Sequence, residues 1–465
     1  MRYITAAMAL TTAAVIACSP SADGMQLDKA SAEKVVLSET PEWASKAVIY
    51  EVNIRQYTPA GTFAAFTKEL PRIRKLGVDI LWIMPVQPIG KLNRKGTLGS
   101  YYSIADYTAF NPEFGTQADF ITMVDAAHAL GFKVILDWVA NHTSHDHHWT
   151  REHPDWHTRR ADGSLSRPID PAGKETDWDD VADLNYGNRD MRTAMIGEMR
   201  WWLDTTGIDG FRCDVAGFVP YDFWADARAA LQAAKPDLFM LAEWEDPKLH
   251  PTFEMTYGWT LFHVLNDVAS GKKKASAIDT HFRAFETTFP DGAFRMNFTS
   301  NHDENSWNGT EFERMGANHL AAYVIAATTQ KAMPLLYSGQ EASFKRRLAF
   351  FEKDSIDWTG PSLAPFYSQV FELRHTHAVL WSGNRGARQL ALATNDPDTV
   401  YGFVRARGQK AVVVLVNFGD APRTVRYTGL AATGDYTEWF DKSTRTLTAA
   451  GSVEIPAHGY RVFVK

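Results

Sequence analysis

The sequence predicts an α/β protein: a (β/α)8 barrel with a small insertion after strand 3 and an antiparallel β domain at the C-terminus. Three observations predict it. Four apolar runs end in acids or histidines: residues 134–142 in Asp137, Asn141 and His142, residues 207–215 in Asp214, residues 238–243 in Glu243, and residues 297–303 in His302 and Asp303. Amphipathic helical segments separate such runs. Beyond residue 380 the pattern changes to short alternating strands divided by turn signals such as Asn-Asp-Pro-Asp. The C-terminal strand ends of a parallel barrel share one face. Asp214, Glu243 and Asp303 would therefore converge on one cleft.

In chain order, residues 1–18 read as an export signal. Arg2 is followed by an apolar run to Ala17 and then Cys18, too short to span a bilayer. Val-Ile-Ala-Cys resembles a bacterial lipobox, which implies acylation at Cys18. The alternative is an ordinary signal peptide with an incidental cysteine. Residues 19–43 lack strong periodicity and read as a flexible tether. The catalytic barrel is assigned to residues 44–380. Its first strand is placed at 48–53, a helix at 63–76 stopped by Gly77, and a second strand at 79–86. The basic loop 90–99, with Lys91, Arg94 and Lys95, suits a solvated cleft rim better than a phosphate site. The insertion covers about residues 142–186. Four histidines fall within 142–148 and raise a zinc site, against which stands the absence of cysteines or a helical His-x-x-x-His. Helices follow at 191–205 and 222–234. The sixth strand region is placed at 259–268, a further helix at 320–329, the eighth strand from Met333, and a closing helix at 366–380. Residues 381–465 form the β domain.

The run Gly-Ile-Asp-Gly-Phe-Arg-Cys-Asp-Val, 207–215, is the most informative. Arg212 and Asp214 lie two apart, so on a strand they share a face. The arginine would keep the carboxylate ionised and lower its pKa. A buried ion pair between strands is the bland reading. An apolar setting for Glu243 would raise its pKa. Glu245 shares the Glu243 face and is the rival acid. Net charge is −7 over 465 residues, which argues against nucleic-acid binding and fits a neutral substrate. Cys18 and Cys213 are the only cysteines; once Cys18 is acylated, no internal disulfide forms.

Asp-x-Val-x-Asn-His at 137–142, Asp-Leu-Asn at 183–185, Gly-Phe-Arg-x-Asp at 210–214, the strand ending in Glu243 and Asn-His-Asp at 301–303 come in an order that resembles glycoside hydrolase family 13, the α-amylase family. The resemblance spans roughly residues 44–465. It implies a retaining α-glucan hydrolase cleaving α-1,4 bonds, with Asp214 as nucleophile, Glu243 as acid and base, and Asp303 as the third carboxylate. Tyr102 would line the sugar ring at the cleavage point, and His142, Arg212 and His302 would bind substrate. The insertion would be the family's B domain. The chemistry needs no cofactor or metal. Asn141 would be a calcium ligand in the family, but Phe218 stands where several calcium-binding members carry histidine. Val215 after the nucleophile is commoner in α-1,6-acting relatives, which gives an alternative: an α-1,6-glucosidase or a transglycosylase. Gly99, where exo-glucosidases often carry aspartate, pulls against a strict exo-glucosidase. A reading of another class is a catalytically silent glycan-binding lipoprotein. The expected setting is export, lipid-anchored facing the periplasm or on an outer membrane, or else secreted and soluble.

Overall fold

The computed structural model describes residues 37–38 and 40–465. The signal segment, Cys18 and most of the tether lie outside the described residues. The last two tether positions, Glu42 and Trp43, belong to a short 3-10 helix, Glu42–Lys46, and the Trp43 ring packs 5.4 Å from Phe239 at the bottom of the barrel.

Eight parallel strands close into a barrel. They are β1 (Ile49–Val52), β2 (Ile80–Ile83), β3 (Lys133–Trp138), β4 (Gly210–Cys213), β5 (Phe239–Ala242), β6 (Met255–Tyr257), β7 (Phe294–Asn297) and β8 (Ala332–Tyr337). Each pairs with its neighbours in sequence, and β8 pairs with β1. The side-chain period of two divides these strands cleanly. Val48, Tyr50, Val52, Leu81, Ile83, Val134 and Leu136 face outward into the helix layer. Ile49, Ile80, Ile135, Leu241, Met255, Phe294 and Met333 face inward and fill the bottom of the barrel. One inward step further on are Glu51, Trp82, Asp137, Arg212, Glu243 and Tyr257. The barrel floor is thus apolar and its upper layer polar, and that upper layer is the floor of the cleft. Gly210 sits inward below Arg212. A Cβ there would lie 1.8 Å from the carbonyl oxygen of Phe239, so only glycine lets β4 close on β5.

Two expected elements differ. The helix placed at 63–76 is two helices, Phe63–Thr67 and Leu70–Leu76. Pro71 lacks the N–H that a continuous helix would bond to Thr67. Residues placed in the sixth strand region form the helix Trp259–Ala269, whose buried residues Leu261, Phe262, Leu265, Val268 and Ala269 recur at helical spacing. The true sixth strand is the three-residue β6 just before it.

Between β3 and the helix Arg189–Thr206, the strands His142–Ser144 and Val181–Asp183 pair antiparallel, with His142 opposite Asp183. His147 and His157 of this insertion are packing residues. The His147 ring lies 4.6 Å from His148, and its Nδ1 accepts the Trp149 N–H at 3.1 Å. His157 Nε2 meets Thr143 Oγ1 at 2.9 Å, and burial lowers its pKa to about 4. Among the described residues, no cluster of three or more His, Cys, Asp or Glu side chains is arranged to hold a metal.

At the C-terminus a six-stranded antiparallel sheet and a three-stranded one carry their own apolar core, including Val404, Val413, Leu415, Val425 and Val453. Arg405 donates from there to the carbonyls of Thr328, Thr329 and Leu380, which ties the sheet to the barrel. Among the described residues, no helix is long and apolar enough to cross a membrane.

Candidate active site

The upper inward layer of the barrel is organised by one guanidinium. Arg212 is fully buried. Its Nη1 donates to Asp137 Oδ1 at 2.8 Å and to Asp214 Oδ1 at 3.0 Å. Its Nη2 lies 2.8 Å from Glu243 Oε1, and its Nε donates to the Tyr257 hydroxyl at 3.0 Å. Register explains the convergence. Asp137 lies opposite Arg212 across β3 and β4, and Cys213 lies opposite Ala242 across β4 and β5. Asp214 and Glu243, one residue beyond, leave neighbouring strands side by side. The Glu243 N–H donates to the Cys213 carbonyl at 2.9 Å, and the Val215 N–H donates to Glu243 Oε2 at 2.9 Å.

Sharing of the arginine changes the expected electrostatics. Burial raises the pKa of Asp214 well above the carboxylate range, and the Glu243 charge adds to this; Arg212 opposes both and loses. The lowering of Asp214 expected from Arg212 alone is therefore corrected: one cation serves three acids in a dry site. Burial also raises Glu243, with Arg212 opposing and Asp303 assisting. The cause is enclosure of the carboxyl in the site. Two carboxyls raised together hold a proton between them. Glu245, the rival acid, is engaged elsewhere. It pairs with Arg295 and accepts from the Thr260 N–H at 2.8 Å and hydroxyl at 2.6 Å.

Asp303 lies at the rim. Its side chain is 32% exposed, against 10% for Asp214 and 11% for Glu243, so it reaches the open cleft. His302 is held from both sides. Its Nδ1 lies 2.5 Å from Glu51 Oε1, and its Nε2 lies 2.7 Å from the Tyr102 hydroxyl and 3.3 Å from Asp303 Oδ2. Burial opposes a charged ring, but Asp303 and Glu51 outweigh it and raise the pKa to about 9. Burial pushes Glu51 up too, which works against the pair. With carboxylates at both ring nitrogens, the charge is assigned to His302. His142 is the opposite case: burial lowers its pKa to about 3, so it is a neutral imidazole. Tyr102 lies parallel to Phe350 at 6.2 Å and to His302 at 5.5 Å.

These groups open into a cavity of about 260 Å³ lined by Tyr102, His142, Asp214, Glu243 and Asp303. Arg212 and His302 brace it from below. Trp178, Phe218, Trp244, Trp259, Trp307 and Phe350 also line it. A larger groove of about 650 Å³ beside Arg72 and Trp358 contains none of the predicted site residues. Sequence reading missed Glu51, Asp137 as an Arg212 partner, Tyr257 and most of the aromatic walls. Glu51 carried a signal, an acid at an inward strand position. The loop aromatics carried none. Asn141 is buried next to His142, its Nδ2 3.3 Å from the ring Nδ1. Phe218 stacks at 5.8 Å on Trp178 and brings no side-chain oxygen or nitrogen to that position.

The model of the α-amylase catalytic domain matches residues 29–168 and 174–357. The alpha-amylase MalA of Haloarcula japonica is 29% identical over 443 residues, covering 91% of this chain and 63% of its own length. The alpha-1,4-glucan:maltose-1-phosphate maltosyltransferase of Salinibacter ruber is 28% identical over 425 residues, covering 81% of this chain and 60% of its own. The chain thus spans less than two thirds of the length of these relatives. An alpha-amylase from Lactobacillus plantarum superposes with a TM-score of 0.80 at 30% identity, over 90% of this chain and 99% of that one.

Proposed function

The chain belongs to the α-amylase family of glycoside hydrolases, and from that premise we propose that it is a retaining hydrolase of α-1,4-glucosidic bonds in starch or malto-oligosaccharides. The observation that carries the reading is the single Arg212 guanidinium touching both Asp214 and Glu243. Two carboxyls gathered on one fork suit the close spacing of direct attack rather than the wider one that admits a water.

In this reading Glu243 gives its proton to the departing glycosidic oxygen. As that C–O bond breaks, an Asp214 oxygen bonds to the anomeric carbon. Glu243, now a carboxylate, takes a proton from water; the water oxygen displaces Asp214, and both residues are restored. The raised pKa of Glu243 suits the first step. Proton transfer within the pair leaves Asp214 ionised when Glu243 is the acid. Arg212 and the Val215 N–H fix the directions of both. Tyr102 would stack on the reacting sugar, while Asp303, His142 and cationic His302 would bind its hydroxyls, most tightly at the transition state. No step needs a cofactor.

The second reading, an α-1,6-acting or transferring enzyme, is favoured by Val215 and by the likeness to a maltosyltransferase. Here an acceptor hydroxyl replaces water in the second step. The aromatic wall at Phe218 and Trp244 would hold such an acceptor. Export with a lipid anchor at Cys18 is part of the same proposal.

The test is product analysis on soluble starch, maltoheptaose and isomaltose, with wild type beside Asp214→Asn. Short malto-oligosaccharides from wild type and none from the variant support the reading. Cleavage of isomaltose alone sinks it in favour of the second.

A further inference from the structure

The loop between β2 and Tyr102 bridges the two walls of the cleft. On the insertion side, the Lys91 N–H donates to Asp146 Oδ2 at 2.8 Å. Lys95 Nζ sits 3.0 Å from Asp179 Oδ1 and 3.1 Å from Asp180 Oδ1. On the β8 side, the Thr97 N–H donates to Glu352 Oε1 at 2.8 Å and the Leu98 N–H to the Phe351 carbonyl at 3.1 Å. Gly96 lies so close to that wall that a Cβ would come 2.5 Å from Phe351 Cβ. The loop is stiffened from within, because Arg94 donates to the Gly90 and Ile89 carbonyls at 2.7 and 2.9 Å.

Glu243, which would protonate the departing group, is flanked in the cavity by Trp244 and Phe218. Lys95, Ser100, Tyr102 and Phe351 line the same cavity. Tyr102, Phe350 and Phe351 form a continuous aromatic corner there, with 5.2 Å between the two phenyl rings. The bridge therefore crosses the cleft from the carboxylates beside Trp178 to the aromatic corner at Phe351.

We propose that the segment from Lys91 to Thr97 is a specificity strap, anchored by Lys95 to Asp179 and Asp180 and by Thr97 to Glu352, which closes one end of the cleft and confines the enzyme to short pieces at free chain ends. The proposal rests on the α-glucan reading above. It acts through shape, so it is compatible with Gly99 standing where a chain-end aspartate would be. Lys95 and Glu352 are specificity residues here and take no part in bond making.

The test compares linear with cyclic substrates on the full-length protein: maltoheptaose against β-cyclodextrin, and linear isomaltoheptaose against a cyclic isomalto-oligosaccharide. Rings have no end to insert beneath a strap. Wild type should prefer the linear form by roughly tenfold or more in kcat/KM, a difference of about 1.4 kcal/mol, and end-labelled maltoheptaose should be cut only near one of its ends. Lys95→Met with Glu352→Gln, which cuts both anchors, should narrow the ratio several-fold and move the cuts inward. A general loss of activity does not change that ratio. Equal turnover of rings and chains by wild type overturns the strap. So does a preference that the double variant leaves intact. Failure of the α-1,4 reading shows separately, as no turnover of either malto-substrate, and the isomalto pair then decides the strap by the same ratio.

Discussion

The backbone N–H of Val215 donates to Glu243 Oε2 at 2.9 Å, and Val215 makes that bond from a left-handed conformation, φ 35° and ψ 48°. A β-branched residue there is an outlier, and such strain costs on the order of 1–3 kcal/mol. The strained turn aims the N–H at the acid while Asp214, one residue earlier, stays against Arg212. Both carboxyls are therefore oriented by the same two-residue stretch.

Val215→Gly should relieve the strain and keep the N–H. Glycine loses about 0.5–1 kcal/mol through its freer unfolded chain, so a net gain of about 1 kcal/mol in unfolding free energy is expected. Urea denaturation reads it. A midpoint that falls would mean the Val215 conformation is not strained.

Roles within the pair separate by leaving group. Asp214→Asn should lose about a thousandfold or more in kcat on every substrate, since attack itself is removed. Glu243→Gln should lose similarly on maltoheptaose but still release a first-turnover burst of fluoride from α-maltosyl fluoride, whose leaving group needs no proton, before the water step stalls without its base. A Glu243→Gln enzyme with no such burst would contradict the assignment of Glu243 as acid.

How much of this was legible in sequence follows from where each residue sits. Asp214, Glu243, His302 and Asp303 stand at the ends of apolar runs, and burying such runs leaves their charged ends at a strand terminus. The barrel and the C-terminal sheets follow from the same two-residue periodicity. Glu51 stood out as an acid at an inward strand position, but its role was hidden because its partner His302 is 251 residues away. The sign of the Asp214 shift was hidden because Asp137 and Glu243 compete for Arg212 across strands. Residues 259–269 look β-prone by composition, and only their i, i+3, i+4 burial marks a helix. Phe350 reaches the cleft from a loop and Trp307 from the single π-helical turn Glu304–Asn308, where no period announces a face.

The pH profile should follow the crowding of acids. Asp214 must be ionised to attack, so activity falls as pH drops through the lower apparent pKa of the pair. Glu243 must be protonated, so activity falls again as pH rises through the upper one. Both carboxyls are raised, and Asp303 contributes to raising each. Asp303→Asn should therefore move both limbs of the kcat/KM profile toward lower pH, apart from any drop in its height. An unmoved profile would remove Asp303 from the electrostatics of the pair.

Gly217 holds the wall beside the acid. A Cβ at this position would lie 2.2–2.4 Å from the Trp244 indole atoms, so Gly217→Ala must displace that ring. The displacement should raise KM for oligosaccharides that extend past Glu243 and lower the yield of transfer products, with little effect on α-glucosyl fluoride. Equal losses on the short fluoride and on maltoheptaose would place the damage at the reacting carbon instead.

His302 links the site to stability. Its folded pKa, about 9, lies above the ordinary value of 6.5. A raised histidine contributes stability that is fully present below the unfolded pKa and is lost as pH rises through the folded one. The window is therefore pH 6.5 to about 9, and the shift corresponds to roughly 3 kcal/mol at most. Glutamine in its place keeps a hydrogen-bonding side chain without the charge. Against His302→Gln, wild type should hold its advantage in unfolding free energy below that window and lose most of it above. Guanidinium denaturation of both proteins at the two ends of the window measures the gap. A gap that stays constant would mean that the ring between Glu51 and Asp303 is neutral, and that the cleft binds sugar hydroxyls without a cation at this position.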